Sequence, residues 1–306
     1  MTEFAFLQER LARQSKRKRV VLACPHDSHT EYVITRALDE GWAEFCLTTY
    51  LPLTKTFEQV VERHRAHVTL RPCQSAQEAS REAVMMVWRG EGEVLMKGTV
   101  NTDVLLREVL NKEHGLLEPG KVLTHIAVAA IPSYPRMLLF SDAAVIPRPT
   151  VEQFDAILTA CVDAARRLGV ARPHVALTHC TEKVSEKFPH TLSYQVLIEK
   201  SRAGVYGDAV VDGPMDVKTA IDAESGAIKG ICSEVTGQAD ILLFPNIESG
   251  NTFYKTITFF AHATIAGWLA GTTVPIVVAS RADSELSKYY SLALSCLESS
   301  WAENNG

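Results

Sequence analysis

The chain lacks several features that mark whole classes of protein. Its seven cysteines form no Cys-x-x-Cys pair and lie at positions 24, 46, 73, 161, 180, 232 and 296. This odd, scattered set argues against a disulfide framework or a zinc knuckle and favours reduced thiols in the cytoplasm. A net charge of −5 gives no overall attraction to nucleic acid. No glycine-rich dinucleotide fingerprint follows a strand, and no carboxylate cluster has metal-ligand spacing.

Secretory and membrane segments are also not expected. The N-terminus mixes charged with apolar residues and has no long apolar core, so it does not resemble a signal peptide. The stretch from Thr256 to Ser280 carries no formally charged side chain. However, Gly267, Gly271 and Pro275 interrupt it, and a spanning helix needs about 20 uninterrupted residues. We therefore expect no membrane span. The basic run Lys16–Arg19 is interpreted as a solvated corner rather than a phosphate site.

Strand and helix patterns alternate along the chain, which is typical of an α/β fold. At 306 residues the chain is long enough for two domains, because single cores seldom exceed roughly 250 residues. The C-terminal part has the clearest pattern. It is predicted as strand Ala239–Pro245, polar loop Asn246–Asn251, helix Thr252–Ala270 closed by Gly271, strand Pro275–Ala279, polar loop Ser280–Ser284 and a helix from about Glu285. Both polar loops follow strands and feed helix N-termini, where free N–H groups attract anions.

These residues carry a family resemblance. The segments Val211–Pro214, Phe244–Asn251, Tyr254–Lys255 and Ser280–Arg281 resemble the signature of the phosphate acetyl/butyryltransferases. Met96-Lys-Gly98 fits the same family. The motifs Asn246-Ile-Glu and Ser280-Arg-Ala-Asp-Ser284 are closer to the butyryl branch of the family than to the acetyl branch. The resemblance is densest between Asp212 and Leu292 and extends over most of the chain.

The resemblance implies an architecture. It predicts a two-domain fold of the isocitrate/isopropylmalate-dehydrogenase type, with parallel or mixed sheets and a cleft between the domains. The first domain is expected to comprise residues 1–146 plus 273–306, and the second, inserted domain residues 147–272. Pro147-Arg-Pro149 supports the first boundary, because two prolines disfavour a helix across it.

The implied reaction converts a short-chain acyl-CoA, with butyryl-CoA favoured, and inorganic phosphate to acyl phosphate and coenzyme A. The phosphate attacks the thioester directly, so no enzyme nucleophile is needed. The coenzyme A thioester is a substrate, and no cofactor or metal is expected. The other expected properties are a cytoplasmic homo-oligomer, dimer or higher, without nucleic-acid or membrane partners.

The resemblance also implies site residues. Ser280, Arg281 and Asn251 are the candidate catalytic residues, because an arginine fork binds phosphate bidentately and hydroxyl or amide groups can donate to developing charge. The candidate residues for binding phosphate or coenzyme A are Gly250, Tyr254, Lys255, Glu248, Lys97, Thr102, Arg107 and Asp283.

Each of these residues also has an ordinary structural interpretation, and the alternatives stay open. Gly250-Asn251 is compatible with a common helix start, and Lys255 with a solvated helix residue. Arg107 is compatible with a surface helix arginine. The acetyl branch has an aspartate, assigned as base, seven residues after the equivalent of Ser280, whereas this chain has Ser287. Ser287 is therefore only a possible base position, and Asp283 is interpreted mainly as an N-cap.

Three rival functions remain at this point. The first is a phosphate acetyltransferase that prefers acetyl-CoA. The second is a non-catalytic sensor of acyl phosphate or coenzyme A, which the serine at position 287 leaves open. The third is a 2-hydroxy-acid dehydrogenase of the same fold, and the missing dinucleotide fingerprint argues against it.

Overall fold

The structure of the chain, a computed structural model, describes residues 4–279 and 283–304. It contains two compact units. The terminal unit is built from Phe4–Lys121 and Ile265–Gly306, and the central unit spans Val122–Thr264. Ser280 and Arg281 lie outside the described residues.

The terminal unit alternates strands and helices along most of its length. Its elements are α1 (Ala5–Ala12), β1 (Lys18–Ala23), α2 (Ser28–Asp39), β2 (Ala43–Thr49), α3 (Lys55–Arg63), β3 (Val68–Pro72), α4 (Ala76–Trp88), β4 (Val94–Lys97), α5 (Thr102–Val109), β10 (Thr264–Ala270), β11 (Ile276–Val277) and α11 (Glu285–Asn304). Asp27, Thr54 and Ser75 cap α2, α3 and α4 by accepting backbone N–H groups. These caps explain why the helices begin where they do.

The strands of the terminal unit lie in the order β3-β2-β1-β4-β11-β10. The first five run parallel, and β10 pairs antiparallel with β11. The central strand β4 is buried along its whole length, as expected for a parallel sheet covered by helices. Helices α2 and α11 are joined by Arg36, whose guanidinium lies 3.9 Å from the centre of the Tyr289 ring.

The central unit has its own mixed arrangement of strands. Its elements are β5 (Thr124–Ala130), β6 (Leu138–Ser141), α6 (Val151–Arg167), β7 (His174–Thr178), α7 (Pro189–Arg202), β8 (Val210–Met215), α8 (Val217–Ile221), α9 (Ala223–Lys229), β9 (Ile241–Leu243) and α10 (Ile247–Phe260). The strand order is β5-β6-β9-β7-β8. β5 pairs antiparallel with β6, and the other pairings are parallel.

The units divide after Lys121 and after Thr264, whereas the sequence places the boundaries at Pro147 and Thr272. Strand pairing accounts for the difference. β6 pairs in parallel with β9, so β5 and β6 belong to the central sheet and not to the terminal unit. Pro147 also lies inside the central unit, where its carbonyl accepts the Ile247 N–H at 3.1 Å.

The predicted helix Thr252–Ala270 is wrong at both ends. Asn246 has extended dihedrals and caps a helix that begins at Ile247 and ends at Phe260. Residues Thr264–Ala270 form strand β10 instead. No charged residue marks the change from helix to strand, so the pattern of apolar residues extends across it. The element order from β9 onward is therefore strand, helix, strand, strand, helix.

Strand β8 begins at Val210 and includes the family segment Val211–Pro214. The basic run Lys16–Arg19 was interpreted as a solvated corner, but its last two residues lie in β1 and Lys18 is buried. Lys18 Nζ lies 2.6 Å from Glu93 Oε1, and Arg19 pairs with the same carboxylate. In the part of the chain that the structure describes, every helix is too short or too polar to span a bilayer. All seven cysteines are free.

Candidate active site

The carboxyl ends of three neighbouring strands form one edge of the terminal unit's sheet. In register, Ala23 of β1 lies opposite Lys97 of β4, and Val277 of β11 lies opposite Met96. In the sequence, residues 280–284 lie between β11 and α11. In open α/β sheets, ligands bind outside the carboxyl ends of parallel strands. We call this region the terminal carboxyl edge.

The loop after β4 lies directly against the end of β1. The Gly98 N–H donates to the Ala23 carbonyl at 2.8 Å, and the Thr99 N–H donates to the Cys24 carbonyl at 2.9 Å. A Cβ on Gly98 would lie 2.1 Å from the Cys24 carbonyl oxygen. Only glycine permits this approach, because such a contact is far inside van der Waals distance.

Lys97 supports the same loop. It is 5% exposed, and its Nζ donates to the carbonyls of Gly98 and Val100 at 3.0 Å each. The predicted substrate-binding lysine therefore holds the backbone of the loop after β4 from within the protein.

The loop between β1 and α2 contacts the beginning of α11, which sequence reasoning missed. Asp27 Oδ1 accepts a hydrogen bond from Lys288 Nζ at 3.1 Å, and Lys288 is 5% exposed. His29 Nδ1 lies 3.2 Å from the carbonyl oxygen of Asp283. These contacts place the β1–α2 loop beside the start of α11. In the sequence, this site is marked by a polar loop after a buried strand. That loop does not match the signature of the family.

Asp27 is held in its charged form. Burial opposes ionisation, but hydrogen bonds from Thr30 and Lys288 outweigh it and lower the pKa of the Asp27 carboxyl. Thr30 contributes its backbone N–H at 3.0 Å and its hydroxyl at 2.5 Å. Asp27 is thus both the cap of α2 and the partner of a buried lysine.

Asp283 and Ser287 have structural roles that the sequence did not predict. Ser284, not Asp283, supplies the helix cap, because the Ser284 hydroxyl accepts the Ser287 N–H at 3.1 Å. The Ser287 hydroxyl accepts the buried N–H of Ile265 at 3.3 Å. The position of the acetyl-branch aspartate is therefore occupied by a side chain that binds strand β10.

Thr102 and Arg107 are both exposed on α5. Thr102 begins the helix close to the terminal carboxyl edge, and Arg107 lies in its last turn. Five residues at 3.6 residues per turn separate the two by roughly 140° around the axis. The two side chains therefore leave the helix in different directions. Asn101, the N-cap of α5, makes no side-chain cap bond, which distinguishes this helix start from that of α2.

The remaining candidates lie on α10 of the central unit. The Asn246 side chain accepts the Ser249 N–H at 2.9 Å, so the first turn is capped by protein. Glu248 is exposed in that turn. The anion-binding N–H groups expected at Thr252 do not exist there, because Thr252 lies inside the helix.

Gly250 and Asn251 pack α10 against the turn after β6. A Cβ on Gly250 would lie 2.2 Å from the Asp142 carbonyl oxygen. Asn251 Nδ2 donates to the Ala143 carbonyl at 2.9 Å. Tyr254 packs against Phe140 with ring centres 6.2 Å apart, and Lys255 Nζ lies 4.2 Å from the centre of the Tyr254 ring.

We expect Gly250→Ala to destabilise the protein by roughly 2 kcal/mol, although alanine is the better helix former. The added methyl group would force α10 away from the Asp142 carbonyl. The free energy of unfolding, measured in urea, is the readout, and exposed Thr252→Ala on the same helix is the matched control. If Gly250→Ala is as stable as the control, the close approach of α10 to Asp142 is wrong.

Among residues 4–279 and 283–304, no group of three or more His, Cys, Asp and Glu side chains could hold a metal ion. Lys97 and Lys288, the lysines described at the terminal carboxyl edge, donate to oxygens of the protein.

Residues 41–296 match the family model described as phosphate acetyl/butaryl transferase. A phosphate acetyltransferase of Thermotoga maritima is 35% identical over 287 residues, covering 93% of this chain and 96% of that relative. A phosphate butyryltransferase of Clostridium acetobutylicum is 39% identical over 223 residues, covering 73% of this chain and 74% of that relative.

Solved structures show a similar fold. The crystal structure of a branched-chain phosphotransacylase from Enterococcus faecalis has a TM-score of 0.81 and 28% identity, covering 92% of this chain and 99% of that one. A 4-hydroxythreonine-4-phosphate dehydrogenase from Salmonella typhimurium shares the fold alone, with a TM-score of 0.51, 12% identity and coverage of 92% and 99%. The predicted α/β, dehydrogenase-like fold class is thereby confirmed.

Proposed function

Because the chain belongs to the phosphate acetyl/butyryltransferase family and is therefore an acyltransferase, we propose that it converts butyryl-CoA and phosphate to butyryl phosphate and coenzyme A. The family supports transfer of an acyl group between coenzyme A and phosphate. The preference for butyryl is the finer part of the proposal. It rests on the sequence motifs Asn246-Ile-Glu and Ser280-Arg-Ala-Asp-Ser284.

The observation that carries the proposal is the attachment of α11 at the terminal carboxyl edge. Lys288 and Asp283 are bonded to the β1–α2 loop, so the helix start beyond segment 280–284 has a fixed place beside the ends of β1 and β4. A helix start with a fixed position beside these strand ends suits a reacting phosphate, whose donors must be held in place.

Within this proposal the phosphate is the nucleophile. One of its oxygens attacks the thioester carbonyl, the carbon–sulfur bond breaks, and the thiolate leaves. Arg281 binds the phosphate with two parallel N–H donors, and Ser280 donates to the carbonyl oxygen or to the sulfur. Thr102, at the uncapped start of α5, is proposed to contact coenzyme A, with Arg107 as a weaker candidate.

In this proposal, residues of the central unit bind substrate or shape helix α10, and none of them reacts. Asn251 uses one amide hydrogen on Ala143, which leaves the second for phosphate. Lys255 is exposed and supplies positive charge above Tyr254. Glu248 and Gly250 shape the first half of α10, and they are proposed as binding residues only through that helix.

An acetyl preference is the main alternative, because the relatives carry both names. Initial rates with acetyl-, propionyl-, butyryl- and valeryl-CoA, each with phosphate in excess, separate the two. We expect the highest kcat/KM with butyryl-CoA. A higher value with acetyl-CoA would establish the alternative, and no coenzyme A release from any of the four would favour a non-catalytic sensor.

We expect activity to be independent of metal. Dialysis against a chelator should change the rate of coenzyme A release by less than twofold, since substrate charge is neutralised here by arginine, lysine and N–H donors. Loss of activity that magnesium or zinc restores would contradict this.

A homo-oligomer, dimer or higher, in the cytoplasm is also part of the proposal. Light scattering of the purified protein tests the assembly.

A further inference from the structure

His26 is a second residue of the β1–α2 loop, and its ring has one defined partner. His26 Nε2 lies 3.2 Å from the Thr49 hydroxyl oxygen. That hydroxyl donates its own hydrogen to the Leu51 carbonyl at 2.7 Å. The Thr49 oxygen must therefore accept from His26, which places the ring proton on Nε2.

The other ring nitrogen is left as an acceptor. Among residues 4–279 and 283–304, none donates a hydrogen bond to His26 Nδ1. The edge of the Tyr50 ring packs at right angles to the imidazole, with ring centres 5.5 Å apart. A hydroxyl on one side and an aromatic ring on another fix the orientation of the imidazole, as a general base requires.

The surroundings keep this imidazole neutral. Partial burial lowers the pKa of His26 from its ordinary value of 6.5, and the nearby Asp27 carboxylate opposes this with a smaller effect. The other polar groups facing the ring come from the β2 end, namely the Thr49 hydroxyl and Tyr50. Lys288 on α11 is bonded to Asp27. At pH 7 the Nδ1 lone pair is therefore available.

His26 also lies in the right loop. Its neighbours in sequence, Asp27 and His29, bond to Lys288 and Asp283 at the start of α11. Two other groups near this helix start are poorer bases. Asp27 already binds Thr30 and Lys288 and has a lowered pKa, and the Ser287 hydroxyl accepts the Ile265 N–H.

We propose that His26 Nδ1 is the group that moves the thiol proton of coenzyme A in this enzyme, in place of the aspartate that the acetyl branch has at position 287. The inference rests on the proposed function. In the direction that consumes thiol, Nδ1 takes the proton from sulfur and the thiolate attacks the acyl phosphate carbonyl. The carbon–oxygen bond to phosphate then breaks, and the imidazolium returns its proton to the departing phosphate.

The reverse direction balances in the same way. Hydrogen phosphate gives its proton to Nδ1 while its oxygen attacks the thioester carbonyl. The carbon–sulfur bond then breaks, and the imidazolium protonates the thiolate. No additional reactant is needed in either direction.

The test is His26→Gln, assayed with butyryl phosphate and coenzyme A between pH 5.5 and 9. Glutamine keeps an N–H donor for Thr49 but has no titrating base. We expect a fall in rate of about 10²-fold or more at pH 7. The variant should gain about tenfold per pH unit up to the thiol pKa of about 8.5, whereas the wild-type rate should level off at lower pH. Added imidazole should partly restore His26→Ala.

His64→Gln, at the end of α3, is the matched control and should behave as wild type in rate, pH profile and Tm. A His26→Gln enzyme within twofold of wild type, with an unchanged pH profile, would overturn the role of His26 alone. Inactive wild type with every acyl chain would overturn the proposed function and this inference together.

Discussion

Arg281→Lys should lower kcat/KM for butyryl-CoA and phosphate at least tenfold. Lysine keeps the positive charge but replaces a planar fork by a single point donor, so the phosphate loses its two-pronged orientation. The loss of one charge-assisted hydrogen bond, about 1.5–3 kcal/mol, corresponds to a tenfold change or more. Initial rates with the two substrates varied independently give the separate effects on each KM.

Lys255→Arg is a useful comparison for this variant, because it makes the reverse exchange at an exposed position and should change kcat/KM by less than threefold. A lysine at position 281 that leaves the enzyme within twofold of wild type would remove Arg281 from the site. Retained activity in both variants would indicate that positive charge, not fork geometry, is what phosphate recognises.

Gly98→Ala should be among the most damaging small substitutions in the terminal unit. Its methyl group would meet the Cys24 carbonyl oxygen at 2.1 Å and the Ala23 carbonyl oxygen at 2.8 Å. Both are backbone atoms of a buried strand end and cannot turn aside. We expect a loss of roughly 3 kcal/mol in the free energy of unfolding, and a lower kcat in the fraction that stays folded, because the loop carries Thr99 and leads to Thr102.

Gly90→Ala separates this clash from the general cost of replacing a glycine. Gly90 has a φ of +78° and open space around its missing side chain, so alanine there costs only the left-handed backbone penalty of about 1–2 kcal/mol. Urea unfolding of both variants is the measurement. Equal losses would mean that the Gly98 loop can move away from β1.

Much of the fold follows local patterns that are visible in the sequence. Thr54, Ser75 and Thr150 each cap the helix that follows, and the buried strands β1 and β7 coincide with apolar runs. The wrong helix end has one physical cause. Between Phe260 and Thr264 the chain changes from helix to strand without a charge or proline, so only strand pairing decides the boundary.

Candidate site residues could be named from the sequence only where they match the family signature. Asn251 and Lys255 were named by resemblance and stay predictions, and the contact of Asn251 with Ala143 depends on packing between separate elements. His26, Asp27 and Lys288 are not part of the family signature. Their significance comes from hydrogen bonds between residues more than 20 positions apart, which spacing along the chain does not reveal.

The central claim is that phosphate itself takes the acyl group. Purified enzyme, butyryl-CoA and phosphate should be incubated together, with free thiol and hydroxylamine-reactive acyl phosphate measured in the same samples. We predict equal amounts of the two products and no thiol release when phosphate is omitted. Thiol release without phosphate, or without matching acyl phosphate, would show hydrolysis by water and contradict the account.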